Sequence, residues 1–65
     1  KREWPEIVGV KVASVTGSMW VKGNVLFVEV KSSIIRSELK LISGELVKAI
    51  NRRLGENAIN DMVVR

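Results

Sequence analysis

Between Ser33 and Leu54 the apolar residues recur at alternating steps of four and three. This spacing places them along one side of an α-helix, so it predicts one long amphipathic helix over the whole range. The boundaries agree, because the Ser32 and Ser33 hydroxyls can accept from amides of the first turn and Gly55 suits the left-handed position after a helix. We expect this apolar stripe to form the seam of the core: Ile35, Leu39, Ile42, Leu46, Ile50 and Leu54.

A second helical pattern covers Trp4 to Val15, where apolar residues recur with i, i+3, i+4 spacing. Pro5 suits a first helical turn, because its missing amide N–H has no helical partner there, and this points to Glu3 or Trp4 as the start. Gly9 weakens the helix, since glycine costs about 1 kcal/mol relative to alanine in a helix interior. We predict a shorter N-terminal helix in which Gly9 is the point of a conformational break.

The middle of the chain changes to a pattern that is typical of strands. Ser18 to Val21 and Val25 to Lys31 are rich in strand-forming residues, and Gly23-Asn24 tolerates the positive φ of a two-residue hairpin turn. A third β-prone run, Met62 to Arg65, is expected to pair into the same sheet. The order helix-strand-strand-helix-strand predicts an α+β fold, with the sheet on one side and the helices on the other.

Side chains alternate between the two faces of a strand, so we expect each strand to have one buried face and one outward face. We expect the Leu26 face of the second strand to meet the long helix. In the first strand Trp20 shares the outward face with Lys22, where an exposed ring beside a cation can stack on a nucleobase for about 1 to 3 kcal/mol. The alternative is cross-strand packing of Trp20 on Phe27, a pairing that commonly stabilises hairpins.

Composition excludes most catalytic chemistry. The 65 residues suit one domain, covering residues 1–65, and they contain neither cysteine nor histidine. Disulfides, zinc ligation, thiol nucleophiles and the commonest general base are therefore absent. Glu29 and Glu38 have no second carboxylate at a useful spacing. We expect a protein that is not an enzyme and that takes no cofactor, no metal and no small-molecule substrate.

The formal net charge of +4 favours an anionic partner such as DNA. Four basic residues fall into a strip that could contact phosphates without reading sequence, while plain solvation explains them about equally well. Together with Trp20 they form the predicted nucleic-acid site: Lys22, Lys31, Arg36 and Lys40.

Nothing in the chain is long and apolar enough to cross a bilayer, since the longest apolar run covers only Val25 to Val28. The amphipathic stripe is needed for the core, which disfavours a helix lying on a membrane. We expect a cytoplasmic location. The first residue is Lys1 rather than methionine, so we expect a fragment of a slightly longer protein.

Four short motifs run along the chain: Trp4-x-x-Ile7-Val8-Gly9, Gly23-Asn24-Val25-Leu26-x-Val28-x-Val30-x-Ser32-Ser33, Glu38-Leu39, and Ile50-Asn51-x-x-Leu54-Gly55. In this order they resemble the DciA family of bacterial replicative-helicase loaders. The resemblance implies a fold similar to the KH domain and a role in bacterial DNA replication, with DNA and the replicative helicase as partners. The Gly-x-x-Gly loop with which KH domains clamp nucleic acid is missing from the sequence.

Two functions follow as hypotheses. The first is a nucleic-acid-associated module that resembles the helicase loaders and contacts DNA phosphates non-specifically. The second is a protein-interaction adaptor that uses a sheet edge near Val63, or the apolar residues Ile34 and Leu41 that lie off the main helical stripe.

Overall fold

A computed structural model of the protein describes residues 3–65, and the side chains from residue 4 onward. The described chain is α+β, as predicted, with the helices packed on one face of a three-stranded sheet. The elements follow one another as α1 (Glu3–Val8), α2 (Val10–Ser14), β1 (Thr16–Lys22), β2 (Val25–Val30), α3 (Ser33–Leu41), α4 (Ser43–Leu54) and β3 (Asp61–Val64).

The N-terminal helical segment breaks at Gly9, as predicted. Gly9 has φ +93°, a value that side-chain-bearing residues rarely adopt, and it separates α1 from α2. Trp4 lies in the core, where its Nε1 donates to Thr16 Oγ1 at 3.0 Å. Thr16 Oγ1 in turn donates to the Val12 carbonyl at 2.8 Å. These two bonds tie α1 and α2 to the start of β1.

The predicted hairpin joins β1 and β2 as antiparallel neighbours. Gly23 and Asn24 both have positive φ, at 58° and 67°, which gives the turn that matches the twist of the two strands. The register shifts by one residue between Thr16 and Met19, so β1 contains a bulge there. This extra residue leaves both Thr16, opposite Val30, and Met19, opposite Val28, on the same side of the sheet.

The predicted third strand is also present. β3 pairs with β2 in parallel, so β2 is the central strand of the order β1-β2-β3. A parallel pair needs a long crossover, and α3 and α4 supply it. The loop before β3 is held by Asn51 of α4. Its Oδ1 accepts from the amides of Ala58 and Ile59 at 2.9 and 3.0 Å, and its Nδ2 donates to the Ile59 carbonyl at 2.9 Å.

The long helix that the periodicity predicts is two helices. Ile42 has φ −113° and ψ 19°, outside the helical range, and it separates α3 from α4. Ser43 and Gly44 follow it, and both have a lower helix propensity than alanine. The outer boundaries are as predicted, because Ser32 Oγ accepts from the Ile35 amide at 3.2 Å and Gly55 is left-handed at φ 74°.

The bend redistributes the predicted apolar stripe. Leu39 and Leu46 are buried, and Ile35 and Ile50 are half-buried against the core. Ile42 is exposed at the bend. Leu54, at the end of the stripe, is exposed as well, so the expectation of a continuous seam is wrong at these two positions. The core that all the elements share consists of Trp4, Leu26, Val28, Val30, Leu39, Leu46, Ile59, Met62 and Val64.

Candidate nucleic-acid interface

The two faces of the sheet have opposite environments. Alternation places one set of residues against the helices, and we call this the covered face: Leu26, Val28 and Val30 of β2 with Met62 and Val64 of β3. The other set belongs to no part of the helix-packed core, and we call it the open face: Trp20, Lys22, Val25, Phe27, Glu29, Asp61, Val63 and Arg65.

An apolar row crosses the middle of the open face. Trp20 pairs with Phe27 across β1 and β2, and Phe27 pairs with Val63 across β2 and β3. The Trp20 and Phe27 rings are nearly parallel, with an interplanar angle of 4° and centroids 5.4 Å apart. Trp20 is nevertheless 36% exposed. The cross-strand packing and the outward position proposed for Trp20 therefore occur together.

Arg65 places a cation beside this aromatic pair. It follows β3 and continues its backbone ladder, since its amide donates to the Val28 carbonyl at 2.9 Å and its carbonyl accepts from the Val30 amide at 2.8 Å. Its guanidinium carbon lies 5.9 Å from the Trp20 ring centroid and 5.6 Å from the Phe27 ring centroid. At these distances the cation is attracted to the faces of both rings.

The predicted cations do not form one cluster, because Lys22 lies at the opposite end of β2 from Lys31 and Arg36. Lys22 is exposed opposite Val25 at one end of the open face, and Lys31 is exposed just after β2 at the other. The seven residues from Val25 to Lys31 span about 20 Å at the rise of an extended strand. Lys40 is exposed near the end of α3. Two carboxylates also belong to the open face, at Glu29 and Asp61.

Arg36 has a structural contact. Its Nη2 donates to the Val30 carbonyl at 2.9 Å, its Nε is buried, and its side chain is half-buried. The guanidinium thus satisfies a backbone acceptor where β2 ends. Reaching a phosphate would cost it that bond, so Arg36 is less free to bind a ligand than the three lysines.

Three residues that contact or continue the apolar row of the open face lie outside the predicted site: Phe27, Val63 and Arg65. Phe27 was considered only as a packing partner of Trp20. The period-two alternation of β2 assigns Phe27 to the outward face, so that signal was available. Val63 and Arg65 become neighbours of Phe27 only through the register of the parallel pair, which a local pattern does not fix.

A groove lies at the free edge of β1, on the side of the sheet that the helices cover. This groove has a volume of about 240 Å³ and is mainly apolar, with Ile7, Val21, Ile50 and Leu54 among its walls. Arg53 lines it and pairs with Glu6 at 2.6 Å, which joins α4 to α1. Both side chains of the pair are largely exposed, so the ion pair adds little stability.

The described residues offer little other chemistry. Residues 3–65 contain no group of three or more acidic side chains arranged to hold a metal ion. Within the same range, the structure has no helix with the length and apolar character to cross a membrane.

Most of the short motifs noted in the sequence build the covered side of the fold. Trp4 and Leu39 lie in the core, Gly9 and Gly55 adopt positive φ, and Asn51 holds the loop before β3. In the strand motif the specified positions Leu26, Val28 and Val30 form the covered face. The positions between them, Phe27 and Glu29, lie on the open face.

The fold and the open face define a small α+β domain with one helix-packed core and one aromatic, partly cationic surface. The family model described as "Dna[CI] antecedent, DciA" matches residues 1–64, nearly the whole chain, and the chain belongs to the DciA family. Membership suggests a helicase-loader-like role in DNA replication, and this family is not a known family of enzymes. No curated protein and no solved structure matches the chain, so the likeness to the KH domain stays a prediction.

Proposed function

We propose that this protein acts in DNA replication as a non-enzymatic, DNA-associated module, that it contacts DNA phosphates non-specifically, and that its protein partner is the replicative helicase. Membership of the DciA family is the observation that carries the proposal. The net charge of +4 supports the DNA contact, because Lys and Arg gain affinity by displacing the counterions condensed on DNA. The cations proposed to contact DNA phosphates are Lys22, Lys31 and Lys40, together with Arg65. Arg36 has a mainly structural role, because it bonds to the Val30 carbonyl.

The direct test is a salt titration of DNA binding, measured as the fluorescence anisotropy of a labelled oligonucleotide. Affinity should fall linearly on a double-logarithmic plot against salt, with a slope of about −0.9 per phosphate contacted on duplex DNA. Lys22→Gln and Lys31→Gln should each lower the slope by close to one contact. Lys48→Gln, at an exposed position on α4, is the matched control and should leave the slope unchanged.

Two results would remove the electrostatic mechanism. One is the absence of binding at low salt. The other is an affinity that stays constant as the salt concentration rises. A slope that falls as much for Lys48→Gln as for Lys22→Gln would show that the charge acts through the whole molecule and that no particular surface is used.

The second candidate function is a protein-interaction adaptor, and one observation favours it. Ile34 and Leu41 are 72% and 86% exposed, and they lie seven residues apart on one side of α3. Large apolar side chains that remain exposed together often mark a contact surface. The double variant Ile34→Ala/Leu41→Ala should weaken binding to purified replicative helicase in a pull-down if this surface is used. Unchanged binding would exclude it.

A further inference from the structure

We propose that the open face binds single-stranded nucleic acid in preference to duplex, with unpaired bases stacked on the Trp20 and Phe27 rings. The inference rests on the proposed function and names the form of nucleic acid that it concerns. The geometry comes first: the two rings stand on neighbouring strands, nearly parallel, with centroids 5.4 Å apart. Because the rings stack on each other, a base can stack on the ring face that the partner ring leaves uncovered.

The form of the nucleic acid follows from which base surfaces are accessible. In a duplex the flat faces of the bases are covered by their neighbours, and a protein meets base edges and phosphates. In a single strand the bases can unstack and lie against aromatic side chains, which bind any base because every base has a π-face. Trp20 is 36% exposed on the open side of the sheet, so its ring can be reached without unfolding the domain.

The distribution of charge fits a strand that crosses this surface. Lys22 and Lys31 stand at the two ends of the open face, with Asp61 in the same row as Lys22 and Glu29 two residues before Lys31. Both lysines are exposed and can contact phosphates on either side of the apolar row, which offers a site for bases. The Arg65 guanidinium carbon lies within 6 Å of both ring centroids. When a base stacks on a ring, the guanidinium can move off the ring face and bind a phosphate instead.

A protein partner is the competing occupant of the same face. The apolar row consists of three side chains, Trp20, Phe27 and Val63, and Trp20 and Val63 are each 36% exposed. A stable protein interface buries about 800 Å² on each side, which needs a much larger apolar centre than three residues supply. The row matches the size of one or two bases better than it matches a protein surface.

The test compares a single-stranded oligothymidylate of twelve nucleotides with a duplex of twelve base pairs at one fixed salt concentration. The wild-type protein should bind the single strand more tightly. Trp20→Ala should weaken binding to the single strand by about 5- to 150-fold, the equivalent of one lost base stack, and should change duplex binding by less than twofold. Trp20→Phe should restore most of the lost affinity, because it keeps an aromatic face.

Val21→Ala is the matched control. Val21 is the next residue along β1, is 57% exposed, and points to the other side of the sheet. Its replacement should leave both affinities unchanged. A second readout uses the unaltered protein: stacking should quench the fluorescence of exposed Trp20, while Trp4, which is 4% exposed, stays shielded. This readout remains available if Trp20→Ala fails to fold.

The outcomes separate the inference from the function on which it rests. No binding to either nucleic acid at low salt overturns both. Salt-dependent binding that is equal for single strand and duplex, and unchanged in Trp20→Ala, overturns the inference alone. A Trp20→Ala variant that keeps its affinity for DNA but no longer binds the replicative helicase would identify the open face as a protein interface. This result too would overturn the inference.

Discussion

The covered and open faces of the sheet are built from alternate residues of the same strands, yet their side chains lie in different environments and have different roles. On the covered face Val28 is fully buried, in a core that also contains residues of β3 and of the helices α1, α3 and α4. On the open face Phe27, one residue earlier, meets Trp20 and Arg65 near solvent. The strand motif noted in the sequence includes the covered positions Leu26, Val28 and Val30 and leaves Phe27 open. That motif therefore builds the core, while the proposed DNA contacts depend on residues outside it.

The largest difference between the two environments should appear in two leucines of α3. Leu39 is 3% exposed in the core, whereas Leu41 is exposed to solvent. Leu39→Ala should destabilise the protein by about 2 to 5 kcal/mol, because it removes buried methyl groups and leaves a cavity. Leu41→Ala should change stability by less than about 0.5 kcal/mol. Urea denaturation followed by circular dichroism measures both, and equal effects would contradict the assignment of the two sides of α3.

A smaller effect should separate the two faces within β3. Val64 is buried on the covered face, and Val63 is its neighbour on the open face. Val64→Thr should cost about 1 to 3 kcal/mol, because it places a hydroxyl group in the apolar core. Val63→Thr should stay within about 0.5 kcal/mol, since threonine also favours strands and its hydroxyl can reach water. Thermal unfolding of the two variants gives the comparison, and a reversed order would show that the faces are assigned the wrong way round.

The smallest effects concern two glycines, Gly44 inside α4 and Gly55 just after it. Gly55 is left-handed at φ 74°, so Gly55→Ala should cost about 1 to 2 kcal/mol. Gly44 lies in the helix with open space around the position of a Cβ atom, so Gly44→Ala should stabilise by about 0.5 to 1 kcal/mol. The two melting temperatures should therefore move in opposite directions. A loss of stability in Gly44→Ala would mean that the bend before α4 needs glycine.

Most of the covered side could be predicted from the sequence, because its signals are local. The alternation around Leu26 assigned the buried face of β2, Gly23-Asn24 marked the hairpin turn, and Ser32 and Gly55 marked helix ends. Each of these features depends on residues a few positions apart. Short-range periodicity and capping are sufficient to reveal such features.

The remaining features depend on tertiary structure. Ile42 continues the apolar period of α3, so the periodicity contains no sign of the bend that exposes it, and the low helix propensity of Ser43 and Gly44 is the one local signal there. The sequence does not distinguish Arg36 from an ordinary surface cation, because its hydrogen bond to the Val30 carbonyl depends on how α3 packs beside the end of β2. Arg65 becomes a neighbour of Phe27 through the parallel pairing of β2 and β3, which a crossover of two helices sets. Long-range register of this kind leaves no local trace in the sequence.

The two indole N–H groups offer the most direct measurement of the central claim, because one lies on each side of the sheet. Trp4 donates to Thr16 in the core, while Trp20 stands on the open face. In a proton–nitrogen correlation spectrum recorded during titration with single-stranded DNA, the Trp20 indole signal should shift progressively and the Trp4 signal should stay in place. A spectrum in which the Trp20 signal stays fixed while signals from α3 and α4 move would contradict the account.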